Sequence, residues 1–405
     1  MLDTVNPEVV PSFHKLSLEP AVDEKASASS TRTPSFHSIP PSDTRSLRKN
    51  EGFSGTPETP DTDYEQPRGP IRTPFAHPLS SCKPLPRAAL TAEQARKYES
   101  LLSSVLAWTH VPNTSAKNSP TTPIEDDERM WLTRECLLRY LRATSWNTPE
   151  ASKRLMNTIT WRREYEVASI TGDMVSVENE TGKQRILGYD INARPCLHMS
   201  PGKQNTKKSE MQIKHLVFML ERAVDLMPPG QETTALLIDF KNSTSGGSPS
   251  VGQGKQTLTI LQGHYPERLG KALISDRKLI AGSMRWSVAD SDQPVPWYIA
   301  TFFKLISPFI DPVTKEKMVF NQDLRKYVPP SQLDKAYNGD ADFEYDHSQY
   351  WPALNRLCQE RRAAYRERWV QAGSKIGEYE MYLRGGHQKP LAALSDDGEA
   401  APTGS

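Results

Sequence analysis

The run Ala235-Leu236-Leu237-Ile238-Asp239-Phe240 decides the fold class. It has the length of a strand, and its apolar side chains do not alternate with polar ones. A strand wetted on one face alternates, because successive side chains point to opposite faces. An unbroken run suits a strand covered on both faces, as in a parallel sheet. The flanking sequence agrees. Upstream, about Ser209–Met227, Ile213, Leu216, Val217, Leu220 and Val224 recur at helical spacing until Pro228-Pro229-Gly230 ends the helix. Before that, Arg185–Asp190 and Pro195–Met199 read as short strands around an Asn192-Ala193-Arg194 turn. Downstream come a helix over about 254–264, a strand at Lys271–Ser275, a helix over about 297–306 and a strand at Lys317–Phe320. Strand and helix alternate, so residues 169–345 read as an α/β unit with a mainly parallel sheet.

Residues 91–168 read as a small all-helical unit. Thr91 and Gln94 fit a capping box ahead of Leu101, Leu102, Val105 and Leu106. A linker with Pro112, Pro120 and Pro123 follows. Glu125, Asp126, Asp127 and Glu128 then open a helix striped by Trp131, Leu132, Leu137, Leu138 and Leu141. Thr148-Pro149-Glu150 starts a third helix through Leu155, Met156, Ile159 and Trp161. A helical extension over 346–385 carries Trp351, Leu354, Leu357, Tyr365 and Trp369.

The chain ends read differently. Of 33 prolines, 14 lie in residues 1–90, which contain none of the eight tryptophans. That composition predicts a disordered Ser/Thr/Pro-rich tail over 1–90, and 386–405 reads as a second flexible tail. The tail explains why only 36% of the chain is hydrophobic and the mean hydropathy is −0.63. Thr33, Thr56, Thr59 and Thr73 each precede a proline. Proline-directed phosphorylation and chance both account for these pairs.

Several function classes drop out. With 50 basic and 49 acidic residues the net charge is +1, without the excess of cations that nucleic acid demands. Cys82, Cys136, Cys196 and Cys358 form no CxxC pair, which argues for reduced thiols over a zinc knuckle or disulfide framework. The N-terminus lacks a signal-peptide pattern, and no apolar stretch approaches the roughly 20 residues of a membrane span. A soluble, cytoplasmic protein is expected. Gly252-Gln253-Gly254-Lys255-Gln256-Thr257 mimics a phosphate-binding loop, but Pro249 stands where the first glycine belongs and Gln256 where Ser or Thr does. Neither GxSxG nor HExxH occurs. No enzyme, metal site or cofactor is expected.

A set of phrases stands out instead: Leu137-Leu138-Arg139-Tyr140-Leu141-Arg142-Ala143, Trp161–Tyr165, Gly188-Tyr189-Asp190 with Arg194-Pro195, Leu236–Lys241, Tyr265–Lys271 and Pro308–Lys317. In this order and spacing they resemble the CRAL-TRIO lipid-binding family with its helical N-terminal subdomain. Pro201–Thr206 and His215–Glu221 resemble its fungal phosphatidylinositol transfer branch. The resemblance implies a sheet flooring a cavity for one lipid, with a mobile amphipathic helix as gate. The matching helix here carries Trp297, Tyr298, Ile299, Phe302, Phe303 and Ile306, a face suited to a bilayer interface. It also implies headgroup contacts. Lys317 and Thr314 match positions that contact the phosphodiester, Glu267 matches a glutamate that accepts from inositol hydroxyls, and Asp311 is placed to orient Lys317. The residues alone favour plainer readings: Glu267 as a salt-bridge partner of Arg268 or a helix-terminal charge, and Lys317 as a solvated lysine beside Lys315. Arg139 and Arg142 are expected to tie the helical unit to the lipid domain.

The expected activity is extraction and exchange of single phosphatidylinositol molecules between membranes, with transient, peripheral contact to endomembranes or lipid droplets. The alternative is a sensor that presents the lipid to a phosphoinositide kinase. Three departures qualify the resemblance. Thr144 stands where many relatives have Arg. Thr234 and Leu236 stand where phosphatidylcholine-binding relatives have two hydroxyl residues, which favours a sterol as second ligand. Asp276–Gln293 matches nothing, and is read either as a surface loop near the gate or as a translated intron.

Overall fold

The computed structural model describes residues 69–240, 251–275, 317–320 and 322–396. The predicted capping box is present at α1 (Ala92–Leu106): Thr91 Oγ1 accepts from the Gln94 amide, and Gln94 Oε1 from the Thr91 amide. The expected linker beyond it is a hairpin, β1 (His110–Pro112) against β2 (Thr121–Pro123). The single helix expected after Glu125 is two, α2 (Asp126–Trp131) and α3 (Arg134–Ala143). The break falls at Thr133, whose hydroxyl accepts from the Cys136 amide at 3.0 Å and so caps α3. With α4 (Thr148–Glu164), these helices enclose a core of Leu101, Val105, Leu137, Leu141, Leu155 and Ile159.

After the one-turn helix α5 (Gly172–Val175), the chain runs β3 (Gln184–Tyr189), β4 (Pro195–Met199), α6 (Glu210–Asp225), β5 (Thr234–Asp239), α7 (Val251–His264), β6 (Leu269–Ser275) and β7 (Met318–Phe320). The five strands lie in the order β3-β4-β5-β6-β7, antiparallel at β3/β4 and parallel thereafter. Fold class and strand positions agree with the sequence. Consecutive order and right-handed crossovers place α6 and α7 on one face of the sheet. The mimic of a phosphate loop lies within α7, so it forms no loop.

The register sorts the two faces. Leu197 pairs with Leu236, Met199 with Ile238, Leu236 with Ala272, Ile238 with Ile274, and Ala272 with Met318. Since paired residues share a face, an apolar row spans four strands. At one end Leu197 packs beneath α6, with Val217, Leu220 and Ile260. At the other Ile238, Phe240 and Ile274 bury together. Cys196, Ala235, Leu237 and Leu273 point the other way and pack against Leu324, Val328 and Leu333.

The expected ends need correction. Residues 69–90 are not part of a disordered tail: they form a strap across the domain. Ile71 donates to the Asp342 carbonyl at 2.7 Å and accepts from the Glu344 amide at 3.0 Å, and Phe75 buries against Leu187 and Ala341. At the other end α8 (His347–Gln371) belongs to the main core through Tyr350, Trp351, Leu354 and Cys358. The Tyr350 hydroxyl accepts from the Ile186 amide at 2.6 Å and donates to its carbonyl at 2.8 Å. Short helices α9 (Glu380–Leu383) and α10 (Leu391–Asp396) follow, so the flexible tail expected from residue 386 does not begin there. The Glu378 carboxylate accepts from the Leu391 amide at 3.1 Å and holds that turn in place.

All four cysteines are buried and free. No helix among the described residues is long and apolar enough to cross a membrane.

Candidate functional site

Glu267 sits just before β6 at φ 57, a left-handed conformation that costs a non-glycine residue energy unless its surroundings hold it. The holder is Arg142 on α3, whose Nε donates to a Glu267 carboxylate oxygen. Arg268, the neighbour considered from sequence, points elsewhere: its Nη1 donates to the Glu232 carbonyl at 2.9 Å. The Glu267 side chain remains 32% exposed, so the ion pair does not seal it from a ligand.

The pair belongs to a larger network. Arg142 Nη2 reaches Glu232 Oε2 at 3.1 Å, and Arg139 Nη1 reaches the same oxygen at 2.9 Å. Arg87, at the end of the strap, reaches Glu232 Oε1 at 3.2 Å. Arg139 also donates to Glu380 Oε1 at 2.7 Å. Burial pushes the Glu232 carboxyl up, but Arg139 and Arg142 outweigh it and hold it below the ordinary carboxylate range. Arg139 and Arg142 thus tie the helical unit to the sheet domain, as expected. Glu232, Glu380 and Arg87 carried no sequence signal: each pairs with residues far along the chain and lies in no recurring pattern.

A second tie joins α4 to α6. Arg162 forks onto Glu221, Nη1 to Oε1 at 2.9 Å and Nη2 to Oε2 at 3.0 Å. The Tyr265 hydroxyl donates to Glu221 Oε1 at 2.7 Å. Beside it Trp161 stacks on His264 with centroids 4.1 Å apart.

Lys317 precedes β7, and its carbonyl accepts from the Ala272 amide at 2.9 Å. Glu267 and Lys317 therefore flank the entry to adjoining parallel strands. Among the described residues no hydrogen bond or ion pair joins them: Lys317 lies beside Ala272, a residue within β6, whereas Glu267 precedes that strand. Thr314, Asp311 and the helix carrying Trp297, Tyr298, Ile299, Phe302, Phe303 and Ile306 lie outside the described residues. Of the two positions weighed for phosphatidylcholine, Thr234 donates its hydroxyl to the Arg268 carbonyl at 3.0 Å, and Leu236 is part of the apolar row.

The family model for the CRAL/TRIO domain matches residues 179–277 and 294–339, and that for the CRAL/TRIO N-terminal domain matches 97–157. The gap between 277 and 294 falls within the unmatched stretch Asp276–Gln293. A CRAL-TRIO domain-containing protein of Schizosaccharomyces pombe is 48% identical over 323 residues, covering 80% of this chain. The chain spans only 30% of that relative's length. Phosphatidylinositol transfer protein PDR17 of Saccharomyces cerevisiae is 38% identical over 279 residues, 66% of this chain and 75% of the relative. SEC14 cytosolic factor of Kluyveromyces lactis is 27% identical over 231 residues, 51% of this chain and 70% of that protein. With its helical subdomain, mainly parallel sheet and matches to both models, the chain belongs to the CRAL/TRIO domain family.

Proposed function

We propose that this protein binds single phosphatidylinositol molecules, extracts them from membranes and exchanges them for another lipid. The observation that carries this reading is the apolar row Leu197, Met199, Leu236, Ile238, Ala272, Ile274 and Met318, a floor without hydrogen-bonding side chains. Such a floor exchanges one apolar environment for another when acyl chains leave a bilayer, so little free energy separates the two states. The similarity to a phosphatidylinositol transfer protein supports the choice of lipid.

In this reading Glu267 accepts from the inositol hydroxyls. Lys317 and Thr314 meet the phosphodiester, oriented by Asp311. The helix bearing Trp297, Tyr298, Ile299, Phe302, Phe303 and Ile306 is the gate. The protein is a carrier rather than a catalyst, cytoplasmic, and touches membranes transiently. A sterol is the second ligand, because Leu236 offers a phosphate nothing and the Thr234 hydroxyl is already committed to the Arg268 carbonyl.

The test is vesicle-to-vesicle transfer of labelled phosphatidylinositol by Glu267→Ala and Lys317→Ala proteins. Both are expected to lose transfer while staying folded and keeping any sterol binding; Lys317→Ala should keep the wild-type melting temperature, and Glu267→Ala should lower it slightly by losing the Arg142 pair. Wild-type transfer by both variants would refute the headgroup assignment, and extraction of phosphatidylcholine would refute the second ligand.

A further inference from the structure

A cavity of about 760 Å³ lies between α2, α4, α6 and α8, lined by neither Glu267 nor Lys317. That volume suits a small molecule. Its wall on the α8 and α9 side comes from residues beyond 339, where the family match ends. Nine arginines line it against seven carboxylates, and the surplus is concentrated. Arg361, Tyr365 and Arg368 stand at i, i+4 and i+7 on α8, one face of the helix, and that face meets the cavity. Arg384, just past α9, lies over the Tyr365 ring at 5.5 Å. Arg268 enters from the start of β6.

Among the described residues, Arg268, Arg361 and Arg368 have no carboxylate within 4.0 Å, and Arg384 meets Glu380 only at 3.8 Å. Their hydrogen bonds go mostly to carbonyls. Arg384 Nη1 donates to Val224 and Met227, Arg361 to Leu226 and Ala76, and Arg368 to Ala364 and Leu383. A guanidinium has five N–H donors, so each keeps some in reserve. Arg384 Nε and Glu380 Oε2, both on cavity-lining side chains, are buried without a hydrogen bond and stand 3.8 Å apart, a contact too long to satisfy either. Burial, with Arg139 next in weight and Arg384 contributing, pushes Arg268 down to about 10 against the opposing pull of Glu380 and Glu232.

We propose that this cavity binds a soluble, phosphate-bearing small molecule, gripped by Arg268, Arg361, Arg368 and Arg384. A phosphate presents acceptor oxygens in several directions, which suits guanidinium forks converging from separate elements better than a planar carboxylate does. Glu380 Oε2 accepts from a hydroxyl or protonated oxygen of the same ligand. The site stands apart from the proposed lipid chamber and does not depend on it.

The test is calorimetric titration of the full chain with pyrophosphate. Saturable binding is expected, weakened about tenfold or more in the Arg361→Gln/Arg368→Gln protein and unchanged in Lys317→Ala. A second measurement needs no variant: pyrophosphate should raise the melting temperature of the wild-type protein more than chloride of equal ionic strength. Loading the protein with phosphatidylinositol distinguishes the two sources of phosphate. Undiminished pyrophosphate binding supports a separate site, and displacement by the lipid overturns it. Absent binding, binding indifferent to the double substitution, or an equal upshift with chloride also overturns it.

Discussion

Arg142 on the helical unit bonds the carboxylate of Glu267, and Glu267 holds a left-handed backbone, φ 57, at the entry to β6. The proposed headgroup ligand is thus set by a residue outside the sheet domain. Glu267→Gly separates its two roles. Glycine adopts positive φ freely, which returns about 1 kcal/mol, while the partly exposed ion pair that is lost contributes at most about that much. The expected outcome is a melting temperature within a degree or two of wild type, at about the same denaturant midpoint, with phosphatidylinositol transfer abolished.

The Arg162–Glu221 fork predicts an acid limit. Burial pushes the Glu221 carboxyl up, but Arg162, Tyr265 and Arg222 outweigh it and bring it to about 2, against an ordinary 4.5. A depressed carboxyl contributes stability that is full above the unfolded value and is lost as pH falls from 4.5 towards 2. His264 acts sooner. Burial, with Arg162 and Arg154, pushes it down to about 4 from 6.5, so the unfolded chain takes up a proton that the folded chain refuses. Stability should therefore decline in two stages, first below pH 6.5 and then below 4.5. Denaturant midpoints across pH measure this; His264→Gln should remove part of the first stage, the buried His198 and His215, also pushed down by burial, supplying more of it. Glu221→Gln should cost about 1–3 kcal/mol at neutral pH, because it leaves the half-buried Arg162 guanidinium without its charged partner.

The strap supplies a third test. Phe75 is 8% exposed and is the main apolar anchor of residues 69–90. Phe75→Ala should cost about 3 kcal/mol. It should also open the strap to protease cleavage between Ile71 and Cys82 before the rest of the domain yields. Resistance equal to wild type would show that the backbone bonds of Ile71 suffice.

The parts of the fold readable from sequence are those written in local patterns. The unbroken run Ala235–Phe240 gave the parallel strand, the spacing of Ile213, Leu216 and Leu220 gave α6, and Thr91 with Gln94 gave the first cap. The parts that escaped depend on competition or distance. Trp131–Leu141 carries one continuous apolar stripe, yet Thr133 prefers to cap, and the stripe bends there. The strap has the composition of a disordered segment, and contacts far along the chain order it: backbone bonds to Asp342 and Glu344, and Phe75 against Leu187 and Ala341. At the site, the arginines Arg139 and Arg142 were legible as ties, but their partner Glu232 was not: nothing marks an acid after Pro-Pro-Gly as the meeting point of three guanidinium groups.

The hydroxyl of Tyr350 serves both backbone groups of Ile186 on β3. Cutting the chain at Gly339, where the family match stops, would strip those two groups of their partner inside an apolar core. It would also uncover Phe218, which packs on Trp351 at 5.5 Å. Cutting in front of Ala92 would remove the cover over Leu187. The smallest fragment worth expressing thus runs from Gly69 to Asp396, longer at both ends than the outline the two family models give.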